Sequence, residues 1–278
     1  MLATDMRYTT RSWVGSPTPW FTVPFVLGLA FVAALPLKRD DANTRTVTGA
    51  TVKIGNGAAH SYITYEGDKA VEVGVALTEQ ALEGLSQPRH GAHPHEMMEL
   101  HAIALPENNG TPFKFVDLGW NPAGHEPTGV YDAPHFDFHF YTITVAERDA
   151  ILPSDPQFEQ KAARYPAAQY IPADYFAPAP VAVPQMGVHW IDKKAPEFNG
   201  QPFSATFIYG SWDGKVIFAE PMITRATIAS KKDFRAAVGT AQQVQLGGYW
   251  PSSYTIHWDE QAKEYRIALT GLVSRMGL

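Results

Sequence analysis

The stretch Pro134–Tyr141, PHFDFHFY, alternates two chemistries: His135, Asp137 and His139 stand at every second position, with Phe136, Phe138 and Phe140 between them. Successive side chains of an extended strand point to opposite faces, so residues two apart share a face. The pattern predicts a strand whose phenylalanines line a core and whose His-Asp-His row lines a cavity. A helix would instead bring His135 and His139 together at i, i+4 and turn Asp137 away. The residues that follow, Tyr141, Thr142, Ile143, Thr144 and Val145, are aromatic or β-branched and favour the strand.

The same patterning recurs outward from this point. SYITYEGDKAVEVGVAL, starting at Ser61, reads as a hairpin around Glu66, Gly67 and Asp68. TFIYGSWDGKVIFAE, starting at Thr206, reads as another, with Asp213-Gly214 supplying the positive-φ turn, and YTIHWDEQAKEYRIAL from Tyr254 repeats the design. MMELHAIAL and FKFVDLGW are further strands. Helical signals are short: ALTEQALEGL, a capping box from Thr144 to Glu147, and a segment after Pro156. The Pro- and Ala-rich run from Pro172 to Pro184 must cross irregularly. The expected fold is mainly β: an antiparallel barrel, cupin-like foremost, or a sandwich, with a few short peripheral helices.

Composition bounds the setting. The 278 residues are 45% hydrophobic and 12% aromatic, enough to bury a full core. A formal charge of -6 without a long basic stretch gives no electrostatic footprint for nucleic acid. The chain has no cysteine, which excludes disulfides, thiolate metal ligands and a Cys nucleophile. After Arg7 and Arg11, the uncharged run WFTVPFVLGLAFVAALPL extends from Trp20 to Leu37 and is ended by Lys38 and Arg39. It reads as an export signal, since Pro24, Gly28 and Pro36 weaken it as a spanning helix. No good Ala-x-Ala site follows, so an uncleaved anchor is the alternative, and membrane contact is expected only there. Residues 1–45 are thus read as signal or anchor plus linker, and 46–278 as one β-rich extracytoplasmic domain, periplasmic or secreted.

Two further residues are expected to join the row: His189 in MGVHW, and Glu220, which follows Val216 and Phe218 on one strand face and so should be at least partly buried. Imidazoles and a carboxylate around one point suit Zn, Mn, Fe, Ni or Cu, because neutral His nitrogen is a borderline-soft donor and the carboxylate offsets cation charge. In a regular strand, however, Cα atoms four residues apart lie about 13 Å from each other. Either a bulge at Asp137 draws His135 and His139 inward, or one i, i+2 pair binds and the third group supports it. The first is favoured: a divalent transition metal on His135, His139, His189 and Glu220, with Asp137 orienting a histidine.

GHEP, with His125 and Glu126, lies ten residues before the row and could return over it as a lid. His125, Glu126 and Asp137 are the candidate proton-transfer groups. His90, His93 and His95 fall in a Pro/Gly-rich loop, and Glu99, His101 and His257 read as surface or hydrogen-bonded residues. There is no G-x-S-x-G elbow, Walker phosphate loop, helix-opening G-x-G-x-x-G or H-E-x-x-H, which removes nucleotide cofactors and several hydrolase classes.

WNPAGHEPTGVY, PHFDFHFY, MGVHW and YGSWDGKVIFAEPM, in that order between Trp120 and Thr224, resemble segments of a family of uncharacterised exported bacterial proteins. The resemblance implies export and a shared pocket, and no reaction. Two function classes follow: a metalloenzyme whose cation polarises a carbonyl or activates water for a small substrate, and a non-catalytic envelope protein holding a metal or small ligand.

Overall fold

The computed structural model describes residues 43–91, 97–178 and 181–278. The proposed export segment, and with it Trp20 to Leu37, lies outside the described residues, as do His93 and His95. Among the described residues, no helix is long and apolar enough to cross a membrane.

The chain opens with β1 (Thr44–Ile54), β2 (Gly57–Glu66) and β3 (Lys69–Thr78), then β4 (Glu99–Ala104), β5 (Phe115–Asn121) and β6 (His135–Tyr141). Two short helices follow, α1 (Val145–Asp149) and α2 (Phe158–Ala162), then β7 (Tyr175–Phe176), β8 (Val188–Asp192), β9 (Ala205–Trp212) and β10 (Lys215–Thr224). Helix α3 (Arg225–Ala229) leads into β11 (Phe234–Ala237), β12 (Gly248–Trp250), β13 (Ser253–Asp259), β14 (Glu264–Thr270) and β15 (Val273–Arg275). The expected capping box is present: the Thr144 hydroxyl accepts from the Glu147 amide and the Glu147 carboxylate accepts from the Thr144 amide. The three expected hairpins are β2–β3, β9–β10 and β13–β14. Asp213 and Gly214 take φ of 50° and 78°, the positive-φ pair the Asp-Gly turn requires.

The strands form a six-stranded sheet, β1-β2-β3-β14-β13-β11, a seven-stranded sheet, β4-β5-β6-β10-β9-β8-β7, and the small pair β12-β15. The two large sheets pack face to face over one core. One side supplies Ile63, Val75, Leu77, Ile267 and Leu269, and the other Val116, Leu118, Phe136, Phe138 and Phe140. Neither sheet closes on itself among the described residues, so the sandwich is formed and the cupin-like barrel is not. Phe136, Phe138 and Phe140 are each fully buried, contributing roughly 1.5–3 kcal/mol apiece. They fix β6 in register, because a slip of one residue would send all three to the wrong face.

The sequence reading missed β1. Its solvent-facing positions are polar, it lies at a sheet edge, and its pairing with β2 shifts between Thr48 and Thr51. That shift breaks the period-2 signal which marks the other strands.

What makes the site possible is that the outer face of the seven-stranded sheet is also covered. Phe115, Tyr141 and Phe218 pack there against Ile151, Phe158 and Met186, while Ile208 and Met222 pack against Tyr131. β6 is therefore buried on both faces, and its polar row borders the loop between β5 and β6 and the segment leading into β8.

Candidate metal centre

The row emerges on that outer face. β5 pairs with β6 without interruption from Phe115 opposite Tyr141 to Asn121 opposite His135, and β10 keeps one register from Phe218 opposite Tyr141 to Thr224 opposite His135. β6 is thus regular, with no bulge at Asp137, and His135 and His139 keep the strand spacing of about 13 Å. The bulge lies instead in β10, where the pairing with β9 shifts between Val216 and Phe218. It sends Val216 toward the inter-sheet core while Phe218 packs on the outer side. The expected Val216, Phe218 and Glu220 face is corrected to Phe218 and Glu220.

Glu220 stands beside His139 on the adjacent strand, and His189 enters from β8, opposite Gly210 of β9. Gly210 carries no side chain to block the approach: a Cβ there would lie 2.0 Å from the Phe218 ring. That ring contacts both histidines, with centroids 4.9 Å from His139 and 5.5 Å from His189. His139, His189 and Glu220 can each direct one ligand atom to a common region, all within 4.8 Å of one another. His139 Nε2 and Glu220 Oε1 are 3.3 Å apart. Donor atoms bound at about 2.0–2.1 Å around a tetrahedral ion lie about 3.3–3.4 Å from one another, so this pair already has the spacing of two ligands.

The structure does not bring His135 to these three. It places His135 with Asp137 and His125 in a second group, again with ligand atoms within 4.8 Å. His135 Nε2 lies 3.2 Å from Asp137 Oδ1, and His125 Nε2 lies 3.6 Å from Asp137 Oδ2. Asn121, which the sequence reading did not single out, donates from Nδ2 to Asp137 Oδ2 at 2.6 Å. It reaches across Gly119, the residue opposite Asp137, where the missing side chain leaves room. His125 arrives on the β5–β6 loop, held by its own amide donating to the Tyr131 carbonyl at 3.1 Å. Gly124 takes φ of 71° there, and a Cβ would meet the Tyr131 oxygen at 2.1 Å. The loop is further seated by Tyr131, whose ring packs on His125, Phe198 and Phe203.

Both groups border one cavity of about 400 Å3, whose lining also includes Glu126. Its wall is mainly apolar, from residues such as Met98, Val183, Met186, Ile191, Ile208 and Met222. Another depression, near Tyr170, Tyr209 and Trp250, has room for only about 30 Å3 and no ligating cluster. The remaining described histidines stand elsewhere: His60 lies on β2, 3.8 Å from Glu264, His257 is exposed and pairs with Asp233 at 2.8 Å, His101 lies on β4, and His90 is exposed.

Burial sets the charges in the pocket. It pushes the His139 imidazole down to about 4, against the pull of the Asp137 charge and the Asp117 backbone. It pushes the Glu220 carboxyl well above the usual range, and the Asp137 charge adds to this. Burial would raise Asp137 too, but the charges and hydrogen bonds of His135 and His125 overcome it and hold that carboxyl well below the ordinary value. Burial thus favours the neutral form of Glu220, while His135 and His125 favour the charged form of Asp137. The described residues thus contain two buried His/carboxylate groups able to hold a metal ion.

A family model described as TTHB210-like, hypothetical protein TTHB210, matches residues 66–120. The matched stretch runs from the end of β2 to Trp120 of β5 and so stops short of every residue of the two groups. No curated protein matches the chain, and no solved structure does.

Proposed function

We propose that this is an extracytoplasmic metalloenzyme that holds a divalent transition metal on His139, His189 and Glu220 and acts on a small, largely apolar molecule. The observation that carries the reading is the convergence of those three side chains, from three separate strands, on the floor of an apolar cavity. Two imidazoles and one carboxylate suit Zn, Fe, Mn, Ni or Cu. A metal held on these side chains would supply a Lewis acid able to polarise a substrate oxygen or lower the pKa of water. Glu126, which lines the same cavity, is the proton-transfer group the pocket offers beside its metal-binding side chains. The extracytoplasmic location is supported by the Trp20–Leu37 run and by the resemblance between Trp120 and Thr224.

The test is metal content. The purified chain, reloaded with zinc after chelation, is compared with His139→Ala by elemental analysis, with circular dichroism to check the fold. His139→Ala should lower bound zinc by one equivalent per chain. Retention of the full parental amount by a folded variant would sink the centre.

A further inference from the structure

We infer that His125, His135 and Asp137 form a second cation site, so that the pocket holds two metal ions; the inference builds on the metal reading of this pocket. The hydrogen bonds of the two histidines carry it. A backbone carbonyl only accepts, and His135 Nδ1 lies 2.7 Å from the Ala133 oxygen while His125 Nδ1 lies 2.7 Å from the Glu126 oxygen. Both rings therefore carry their hydrogen on Nδ1, and in the neutral form each presents an Nε2 lone pair to the same carboxylate, at 3.2 and 3.6 Å. His135 Nε2 and Asp137 Oδ1 are shut off from solvent and face each other, with no other hydrogen-bond partner among the described residues.

Lone pairs facing one another at contact distance in a dry site repel unless positive charge lies between them. A proton on each ring settles both contacts but leaves both imidazoles charged; a cation settles both while the two rings stay neutral. The separations bracket the spacing of about 3.3–3.4 Å between ligands of a tetrahedral ion bound at about 2.0–2.1 Å. An imidazole whose Nδ1–H is fixed on a backbone carbonyl is also the arrangement that orients metal-ligating histidines. Asn121 holds the carboxylate from behind. His135 is wholly buried, and Phe203 packs on its ring at 5.2 Å, so the side chain is fixed before any ion arrives.

No carboxylate belongs to both groups. Asp137 and His139 are two residues apart on β6, about 7 Å along the strand, against the roughly 3.5–4 Å of bridged two-metal sites. The geometry points to two neighbouring mononuclear centres facing one cavity, with a substrate able to span them.

The experiment counts zinc in the full-length chain after chelation and reloading. The parent should bind two equivalents. Asp137→Asn, nearly unchanged in shape, and His125→Ala, on the loop, should each bind one, as should His189→Ala. The Asp137→Asn/His189→Ala double variant should bind none. One equivalent in the parent, kept by Asp137→Asn and lost in His189→Ala, would overturn the second site and mean that His125, Asp137 and His135 share a proton only. One equivalent lost in Asp137→Asn and kept in His189→Ala would uphold the site argued here while refuting the His139 centre.

Discussion

Gly210→Ala should damage the pocket from a residue that carries no chemistry. The added Cβ would sit 2.0 Å from Phe218 Cε1 and 2.1 Å from Cζ, where ordinary contact begins at 3.4 Å. The ring must withdraw by more than an ångström, and it has nowhere to go: it is fully buried, with Tyr141 at 5.2 Å and His139 at 4.9 Å. Overpacking of this kind costs about 1–3 kcal/mol. Because the ring presses on both His139 and His189, the same movement displaces two ligands, and zinc affinity should fall about 10- to 100-fold, as when supporting residues of metal sites are changed. Urea denaturation of the metal-free protein reads the first effect as a lower midpoint at unchanged slope, and chelator competition reads the second. Phe218→Leu, which shortens the ring side, should partly relieve the clash, so the double variant should lose less stability than the two single losses combined. If Gly210→Ala stayed within about 0.5 kcal/mol of the parent and bound zinc equally well, Phe218 would not be the element holding the histidines.

Two other expectations concern pH and location. Burial pushes the Asp117 carboxyl up to about 6, against the opposing pull of Arg148, whose Nη1 lies 2.9 Å away. The folded state then binds a proton that the unfolded state has lost above about 4, so this group's contribution falls as pH rises from about 4 to 6, by up to about 3 kcal/mol. The stability difference between the parent and Asp117→Asn, followed by urea titration across that range, should show this slope, and a flat difference would contradict the raised carboxyl. Cell fractionation should place the folded chain in the periplasm, on the surface or in the medium, and a full-length soluble cytoplasmic protein would rule out export.

The fold was legible where side chains alternate and turns carry Asp-Gly or Glu-Gly-Asp. These are the positions at which backbone geometry dictates residue type, and the hairpins β2–β3, β9–β10 and β13–β14 formed there. Whether two such sheets stack or one closes is a different question. Alternation looks the same in both architectures, because each buries one face of every strand, and the choice depends on which edges pair. Here β1 and β11 end one sheet and β4 and β7 end the other. β1 was hidden by its own edge position: a strand with one neighbour and mostly polar, exposed side chains carries little hydrophobic pattern.

For the site, residue types were legible and grouping was not. His125, His135, Asp137, His139, His189 and Glu220 all came from the sequence, yet the row was assigned to one ion by supposing a bulge at Asp137. The strand that bends is β10, not β6. Three phenylalanines locked into the core hold β6 straight, since a bulge there would expel at least one of them, whereas in β10 the extra residue is accommodated by turning Val216 inward and leaving Phe218 outside. A straight β6 cannot bring His135 to His139. Each half of the row must recruit partners from elsewhere: Glu220 and His189 from the strands on one side for His139, and the loop residue His125 for His135 and Asp137. The pocket's division in two thus follows from the same alternation that makes PHFDFHFY a strand, because the side that packs the core sets the spacing of the side that would bind metal.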